Sequence, residues 1–288
     1  MSTQLKAARR VVYTALFGNY EALVEQPIAK GVPSVDFICF SDVPRDSASW
    51  RVVVVDLPVR NDTVRSARSI KILGHEMLRQ YDEWLWIDNR VVLRASPENI
   101  LDSWLTGFDL AIPLHDHRSS VADEYHAVLR AGFDSPYRVR EELAVLRRDL
   151  ASVLAEQPMW TGLIARRPSV SVDNWAATWM SMVLLYSRRD QLSVNYAIAT
   201  SQLTINMVRV DNRSSQLHTW LTVEELPKDA RTRFSASSGF RYRAWDYTVD
   251  RIILSAAGRL LRRLRRTLRR LTSRATSHAE PIRRGNLG

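Results

Sequence analysis

The sequence lacks the features that would assign it to several specialised classes of protein. It has one cysteine, Cys39, in 288 residues, which excludes an intrachain disulfide and a zinc cluster built on cysteines. Glycine and proline number only 10 and 11, too few for a collagen-like or low-complexity chain. No apolar run approaches the roughly 18 residues that span a bilayer, and the first 20 residues do not read as a signal peptide. We expect a globular, cytoplasmic protein.

The positive charge of the chain is confined to its C-terminal part. The net charge is +10, and residues 251–288 contain eleven arginines, no lysine and one acid, Glu280. The preceding 250 residues hold 30 basic and 30 acidic residues. A neutral body of this kind lacks the broad basic face with which nucleic-acid-binding domains displace counterions, so no nucleic-acid partner is expected.

The basic C-terminal segment has the pattern of an amphipathic helix. Aliphatic residues recur at steps of three or four and arginines occupy the other faces, so the apolar stripe can enter the headgroup boundary of an anionic membrane. The alternative is a helix packed on the body with a solvated face. We predict a globular domain over residues 1–247 and a basic helix and tail over 248–288, which attaches peripherally to the inner face of the membrane. The stripe is formed by Ile253, Ala257, Leu260, Leu264, Leu268 and Leu271.

Within the body, short apolar runs alternate with helical patterns. This rhythm predicts an α/β fold with a mainly parallel central sheet. Strands are expected at residues 10–15, 35–40, 50–56, 83–87, 110–113 and around 160–165. Helices are expected from Asp62 to about Tyr81 and at residues 97–106, 120–131 and 137–157.

An acidic residue ends one of the predicted strands. In the segment EWLWIDNRVVL the apolar run stops at Asp88. Ligands of open α/β sheets bind beyond the carboxyl ends of the strands, so Asp88 is placed to hold a metal or a ribose hydroxyl. The alternative is an acid that starts a turn by bonding its own backbone.

The helix before this strand carries three cations on one face. Arg65, Arg68 and Lys71 are spaced by three residues, and no acid lies between Asp62 and Glu76. A bound diphosphate would need such charges, whereas the usual explanation of a basic face is solvation.

Two further polar groups follow apolar segments. His115 and His117 come after the strand ending at residue 113 and could share a metal, although histidine-rich loops are more often plain surface. The segment SRRDQLSVNY offers Asp190 and Gln191, for which helix capping is the alternative explanation. The motifs GxSxG, GxxxxGK, HExxH and GxGxxG are absent, so the corresponding hydrolase, nucleotidase, protease and dinucleotide-binding classes lack their signatures.

Taken in order, these motifs resemble a known family. VVYTALFGNYEAL, FICFSD, RSARSIKILGH, YDEWLWIDN, HDHRSSVADEY, MWTGLIARR and SRRDQLSVNY are together similar to the glycosyltransferase-like domain of plant proteins linked to mucilage pectin and turgor regulation, and of bacterial relatives. The resemblance spans about residues 11–206. More distantly it is similar to the GT-A fold, a nucleotide-binding α/β sandwich that holds a nucleotide-diphosphate sugar.

The resemblance implies a donor site. Asp88 corresponds to the first acid of the DxD metal motif, but Asn89 and Arg90 follow it, so the second acid is missing. Either His115, His117 or His218 completes a Mn²⁺ or Mg²⁺ site, or Arg90 and its neighbours replace the charge of the metal. The implied donor-binding residues are Tyr13, Thr14, Ala15, Phe17, Gly18, Tyr20, Asp42, Arg65, Arg68, Lys71, Asp88 and Asn89.

The resemblance also implies a reaction and an acceptor site. Asp190 and Gln191 are the catalytic candidates. Asp190 would act as a general base in an inverting reaction, or would orient the sugar or stabilise oxocarbenium charge in a retaining one. The expected acceptor is a cell-envelope or surface glycan or glycolipid. A non-catalytic sugar-binding module and a lipid-amide hydrolase remain the alternatives. The acceptor candidates are Trp160, Thr161, Gly162, His115 and Arg118, with Trp175 and Trp179 as further aromatic platforms.

Overall fold

The computed structural model describes residues 8–18, 20–222 and 224–226, which form a mixed α/β domain. The predicted basic helix and tail over 248–288 lie outside the described residues. The strands are β1 (Arg10–Leu16), β2 (Val35–Ser41), β3 (Arg51–Val54), β4 (Glu83–Ile87), β5 (Val91–Leu93), β6 (Leu110–Pro113), β7 (Leu163–Arg166), β8 (Ile205–Val208) and β9 (His218–Trp220). The helices are α1 (Thr63–Leu73), α2 (Pro97–Leu105), α3 (Val121–Ala131), α4 (Pro136–Asp149), α5 (Val170–Leu185) and α6 (Val194–Ala199).

Seven strands form the central sheet in the order β3-β2-β1-β4-β7-β6-β8. β1 pairs in parallel with β2 on one side and with β4 on the other, so the direction in which the chain winds reverses between β1 and β4. β7 runs antiparallel to both of its neighbours, β4 and β6. Ligands of such sheets bind beyond the carboxyl ends of the strands at this reversal, where the residues after β1 and β4 meet.

Both faces of the sheet are covered, which explains the continuous apolar runs of β1, β2 and β4. Tyr13 and Trp86 contribute to the core on the face of α1 and α5. Leu85 and Ile87 contribute to the core on the opposite face, against α2. A smaller core joins α3, α4 and the 3₁₀ turn Ala151–Ala155. In the described part of the chain, no helix combines the length and the apolar composition that crossing a membrane requires.

The predicted fold class is confirmed, while several boundaries differ. β4 and β6 have the predicted bounds, but α1 stops at Leu73 instead of continuing to about Tyr81. Gly74 has a φ of 78°, and a Cβ at this position would lie 2.6 Å from the ring of Trp84, so the chain turns here into the 3₁₀ segment Glu76–Gln80.

Some elements had no prediction or were predicted too long. α4 ends at Asp149 and is followed by a 3₁₀ turn, where one helix over 137–157 was expected. No element was predicted at the positions of α5, β5, β8 and β9. The apolar side chains of α5 do not keep to one stripe, and the three strands have only three or four residues each, so periodicity is a weak signal for all four.

Candidate active site

Asp88 lies directly beyond the carboxyl end of β4. Its main-chain N–H donates to the carbonyl of Gly162 at 2.9 Å, which ties the end of β4 to the segment before β7. Its Oδ1 accepts a hydrogen bond from the indole of Trp86 at 2.9 Å and one from Lys71 Nζ at 3.2 Å. The strand-end acid is therefore held in a fixed orientation, and it is joined to α1 through an ammonium group.

Lys71 reaches this position from the last turn of α1. Its side chain is 1% exposed, and Nζ lies 2.7 Å from Asp190 Oδ2 and 3.0 Å from Thr161 Oγ1, in addition to its contact with Asp88. An ammonium group has three N–H donors, and here each has an oxygen acceptor. α1 is oriented for this contact by Asp62, whose side chain caps its first turn.

Asp190 is the second carboxylate of the site. Its Oδ1 lies 2.9 Å from Arg68 Nε, its Oδ2 accepts from Thr161 at 3.1 Å, and its carbonyl accepts from the indole of Trp179 at 2.8 Å. Burial acts to raise the pKa of Asp190, but Arg68 and Lys71 outweigh it, and the pKa lies well below the ordinary value. Asp190 is therefore ionised at neutral pH.

Arg189 adds a third cation. Burial and the nearby Arg68 lower the pKa of its guanidinium, while Asp190 and Asp88 act in the opposite direction. We call Arg68, Lys71, Asp88, Arg189 and Asp190 the charged cluster. Arg68 and Lys71 contact the two carboxylates, and Arg189 is influenced by Asp190, Asp88 and also Glu124, which pairs with Arg118. With that pair included, four cations and three carboxylates leave one positive charge, which an anionic ligand would balance.

A cavity of about 450 Å³ is lined by residues that adjoin the site along the chain and by none of the five residues of the charged cluster. Trp160, which precedes Thr161, contributes to its wall; its ring stacks on His218 at 5.1 Å between centroids and contacts Trp220 at 5.2 Å. The volume is within the range of small-ligand pockets, and an aromatic wall suits the apolar face of a sugar ring. The lining residues are Arg90, His115, Asp116, His117, Trp160, Asn212, Arg213, Trp220, Leu221, Thr222 and Glu224.

His115, a predicted acceptor residue, lines this cavity, and Arg118, another, follows the lining residue His117 in the chain. Burial and the neighbouring Arg118 lower the pKa of His115 to about 4, so its imidazole is neutral at pH 7. His115 Nδ1 accepts the amide of His117, which leaves Nε2–H as its donor. Arg118 itself donates to Glu124 at 3.1 Å and to the carbonyl of His117 at 3.0 Å. The neutral His115 can therefore donate a hydrogen bond to a hydroxyl group.

Several predicted donor residues are located away from this surface. Tyr13, Thr14, Ala15 and Phe17 are at most 5% exposed and belong to the interior of the sheet domain. The guanidinium of Arg65 binds Asp62 and the carbonyls of residues 183 and 186, so it does not join the two other cations of α1 in the charged cluster. We leave these five residues out of the candidate site.

The predicted residues after β1 shape the loop beside the site. Both carboxylate oxygens of Asp42 accept the amide of Gly18, at 2.9 and 3.0 Å, where Gly18 has a φ of 75°. Tyr20 is half-buried, and burial raises the pKa of its hydroxyl, with Arg68 and Asp88 among the charges that act on it. Of the predicted donor residues after β1, Tyr20 is the one under the influence of charges of the cluster. Asp42 fixes the loop through Gly18.

The residues around Asp88 do not fit a divalent ion. The side chain of Asn89 is fully engaged: Oδ1 accepts from the amide of Val24 at 3.0 Å, and Nδ2 donates to Glu21 and to the carbonyl of Ala22, both at 2.9 Å. Across the described ranges, no three histidine, cysteine or acidic side chains are grouped so that they could hold an ion. His218, one of the predicted ligands, uses its ring nitrogens on Ser215 and on the carbonyl of residue 212. His117 lies at the cavity next to Asp116.

The remaining predicted residues have mixed outcomes. Gln191 is half-buried in the 3₁₀ turn Asp190–Leu192. Gly162 packs under Trp160, since a Cβ at Gly162 would lie 2.3 Å from the indole. Trp175 and Trp179 are fully buried, so they pack the core and offer no platform to a sugar.

Sequence reasoning missed three residues of the site. Arg189 was overlooked although it is adjacent to Asp190, and a basic pair before an acid in an otherwise apolar context was its signal. Trp220 was overlooked because it lies on a three-residue strand far along the chain. Asn212, which holds Asp116 and the carbonyl of Leu114 through three hydrogen bonds, gave no sequence signal.

A mixed α/β sheet thus carries a charged cluster near its reversal point, where ligands of such sheets bind. The model of one family, the TOD1/MUCI70 glycosyltransferase-like domain, matches residues 42–219. The chain belongs to this family, which confirms the resemblance drawn from the motifs. The match begins after β1 and extends past residue 206, to the segment that contains β9.

Comparisons with individual proteins give more distant likenesses. The chain is 28% identical over 155 residues to the probable hexosyltransferase MUCI70 of Arabidopsis thaliana, covering 50% of this chain and 26% of the relative. It thus spans about a quarter of the length of this curated relative. Among solved structures, the bifunctional glycosyltransferase WbbM in its apo form aligns with 81% of this chain and 45% of its own, at 12% identity and a TM-score of 0.41. The core-mannan synthase A of Aspergillus fumigatus in its Mn/GDP form aligns with 84% of each chain, at 9% identity and a TM-score of 0.43.

Proposed function

We propose that this protein is a glycosyltransferase that moves a hexosyl group from a nucleotide-diphosphate sugar to a hydroxyl of a cell-envelope or surface glycan or glycolipid. Family membership supports the reaction class. The observation that carries the proposal is the charged cluster around Asp88 at the carboxyl end of β4, with its positive charge in excess; Thr161, which contacts the cluster, follows Trp160 of the aromatic cavity.

The cluster supports donor binding through the diphosphate. Arg68 and Arg189 are the cations that a diphosphate would reach, since Lys71 is enclosed by its three acceptors. In the transfer, the bond from the anomeric carbon to the phosphate oxygen breaks and its electron pair stays with the phosphate. These guanidinium groups would stabilise the charge that develops there. The acceptor oxygen forms the new bond to the anomeric carbon, and its proton passes to the departing diphosphate oxygen, which carries the electron pair of the broken bond.

Asp190 would orient groups in this reaction instead of accepting the proton. Its pKa lies well below the ordinary value because Arg68 and Lys71 outweigh the effect of burial, and a carboxylate of low pKa is a weak base. Its two oxygens hold the side chains of Arg68 and Lys71 in place. We therefore favour the roles of positioning and of stabilising oxocarbenium charge over that of a general base.

The cavity would hold the acceptor. Trp220 is half-buried and provides apolar ring surface, with Trp160, 2% exposed, packed against it, and the neutral His115 can donate a hydrogen bond to a hydroxyl. Thr161 follows Trp160 in the chain and contacts both Lys71 and Asp190. The acceptor site at Trp160 and the donor site at the charged cluster would therefore be connected through Thr161.

A donor screen tests the proposal. Purified protein is incubated with a panel of nucleotide sugars, with EDTA or with Mn²⁺, and release of the nucleoside diphosphate is measured. We expect turnover of at least one donor, and a decrease of about 100-fold or more in Arg68→Met, as for the loss of a group that stabilises transition-state charge. Arg79→Met is the matched control, because Arg79 is half-exposed and forms its ion pair with Asp173, which is not part of the charged cluster. Donor binding without turnover would identify a binding module instead of an enzyme.

We also propose that the basic segment over 248–288, outside the described residues, attaches the enzyme to the inner face of an anionic membrane. Each basic residue near such a surface contributes about 1 kcal/mol. Flotation with anionic and with neutral liposomes tests this for the full chain and for a chain that ends near Asp250. We expect only the full chain to float, and only with anionic lipid; equal flotation of both chains would refute the proposal.

A further inference from the structure

The position between Asp88 and Asp190 is filled by a side chain of the protein itself. Lys71 Nζ lies 3.2 Å from Asp88 Oδ1 and 2.7 Å from Asp190 Oδ2, and its third contact is Thr161 Oγ1 at 3.0 Å. Two carboxylates and a hydroxyl are hard oxygen groups of the type that divalent cations bind. Here the same oxygens surround an ammonium that is 1% exposed.

One carboxylate oxygen of Asp88 and the side-chain amide of Asn89 are already engaged by groups of the protein. Asp88 Oδ1 also accepts the indole N–H of Trp86 at 2.9 Å, so two donors converge on this oxygen. The amide of Asn89, which stands where the second acid of a DxD motif would be, binds Glu21 and the main chain of residues 22 and 24. The amide therefore holds the loop after β1 and is unavailable as a ligand.

The charge arrangement matches this geometry. Lys71 contributes one positive charge between the two carboxylates, and Arg68 and Arg189 adjoin Asp190. A metal ion at a donor site neutralises diphosphate charge, and fixed cations of the protein can perform the same task. The cluster already has more positive than negative side chains, so a diphosphate would meet compensating charge without a metal.

We infer that Lys71 takes the place of a divalent cation at the donor site, so that the protein binds its nucleotide-diphosphate ligand and works without a metal. The inference rests on the proposed function for its ligand. The statement that the protein has no metal site does not depend on the proposed function, because the affinity of the protein for a metal can be measured with the metal alone.

The first experiment titrates Mn²⁺ alone into the full chain, with calorimetry and the electron paramagnetic resonance of free Mn²⁺ as readouts. We expect no saturable binding tighter than about 1 mM, the weak limit of protein sites for hard cations. Lys71→Ala removes the ammonium and leaves two carboxylates and a hydroxyl, so we expect it to bind one Mn²⁺ per chain at least tenfold more tightly. Lys30→Ala, at an exposed lysine, should behave as the unmodified protein. Tight binding of Mn²⁺ to the unmodified protein that Asp88→Asn abolishes would overturn the inference, as would a folded Lys71→Ala that gains no affinity.

The second experiment needs no variant, so it tests whether nucleotide binding requires a metal even if Lys71→Ala does not fold. Binding of UDP, GDP, ADP and CDP is measured in EDTA and in Mn²⁺. We expect the dissociation constant of the preferred nucleotide to change by less than twofold between the two conditions, whereas a loss of tenfold or more in EDTA would overturn the inference. If no nucleotide binds in either condition, the proposed function fails, and the Mn²⁺ titration of the unmodified protein still decides whether a metal site exists.

Discussion

The guanidinium of Arg166 donates a hydrogen bond to the main-chain carbonyl of Lys71, with an N–O distance of 3.0 Å. Its other terminal nitrogen donates to the carbonyl of Ile72 at 2.5 Å, and the group also contacts the hydroxyl of Tyr13 and the ring of Trp84. Arg166 is 1% exposed on β7. The guanidinium therefore lies at the C-terminal carbonyls of α1, where a positive charge is favourable. It also fixes the main chain of Lys71, whose side chain enters the charged cluster.

Replacing Arg166 by methionine should destabilise the protein and loosen the cluster. The substitution removes the guanidinium donor from the carbonyl of Ile72 and leaves the carbonyl of Lys71 with the hydroxyl of Tyr13, which corresponds to about 1–3 kcal/mol in the free energy of unfolding. Urea denaturation measures this loss. Arg79→Met, at an exposed ion pair with Asp173, should change the same quantity by less than about 1 kcal/mol. Equal effects of the two substitutions would contradict the role assigned to Arg166.

Adding a methyl group at Gly162 should displace Trp160. An added Cβ would lie 2.3 Å from the indole, so the ring must move, at a cost of about 1–3 kcal/mol in stability. Tryptophan fluorescence and urea denaturation would follow the change, and acceptor binding should weaken because Trp160 lines the cavity. Gly31→Ala is the matched control: nothing lies within 4 Å of its Cβ, and its free energy of unfolding should stay within about 0.5 kcal/mol.

Restoring the missing acid of the DxD pattern should not create a metal site. In Asn89→Asp the carboxylate would replace an amide nitrogen that donates to Glu21 and to the carbonyl of Ala22. The new charge would then face two acceptors, and the free energy of unfolding should fall by about 2–4 kcal/mol. Asn99→Asp, in the first turn of α2 and exposed, should be neutral or slightly stabilising. A stable Asn89→Asp protein that binds Mn²⁺ would show that the amide is replaceable.

Glu142 on α4 should make the protein less stable as the pH rises. Burial raises the pKa of Glu142 well above its ordinary value of 4.5, against the smaller influence of Ser193 and the main chain of Ser187, while Asp134 adds to the rise. The folded protein therefore keeps a proton that the unfolded chain loses, so the stability present below pH 4.5 decreases as the pH increases toward the folded pKa.

Replacement of Glu142 by glutamine should remove most of this pH dependence. Urea denaturation at pH 5 and pH 8 should show a smaller difference for Glu142→Gln than for the unmodified protein, and a higher stability at pH 8. Glu141→Gln, at the adjacent exposed position, should retain the original difference. An unchanged pH dependence in Glu142→Gln would indicate that other groups cause it.

The sequence allowed much of the sheet to be predicted, because buried parallel strands are continuous apolar runs and their ends are marked by polar residues. Asp88 was identified in this way, whereas Asp190 was identified from the polar segment SRRDQLSVNY, which follows no strand. The partners of the cations on α1 could not be predicted. Arg65 and Lys71 lie on the same face of the helix by their spacing, yet Arg65 binds main-chain carbonyls of α5 and its C-cap, whereas Lys71 binds two carboxylates. The difference arises from which elements pack against each turn of the helix, and helical periodicity carries no information about those elements.

By itself, the sequence determined the α/β class, the order of the strand-end motifs and the confinement of the net charge to the C-terminal segment, since these depend on local pattern and composition. Only the tertiary structure decided that Lys71 lies between the two acids, that Asn89 holds the loop after β1, and that Trp220 reaches Trp160. Each of these contacts joins segments separated by tens of residues in the chain. Their energies depend on burial and on the geometry of groups that meet only when the sheet has formed.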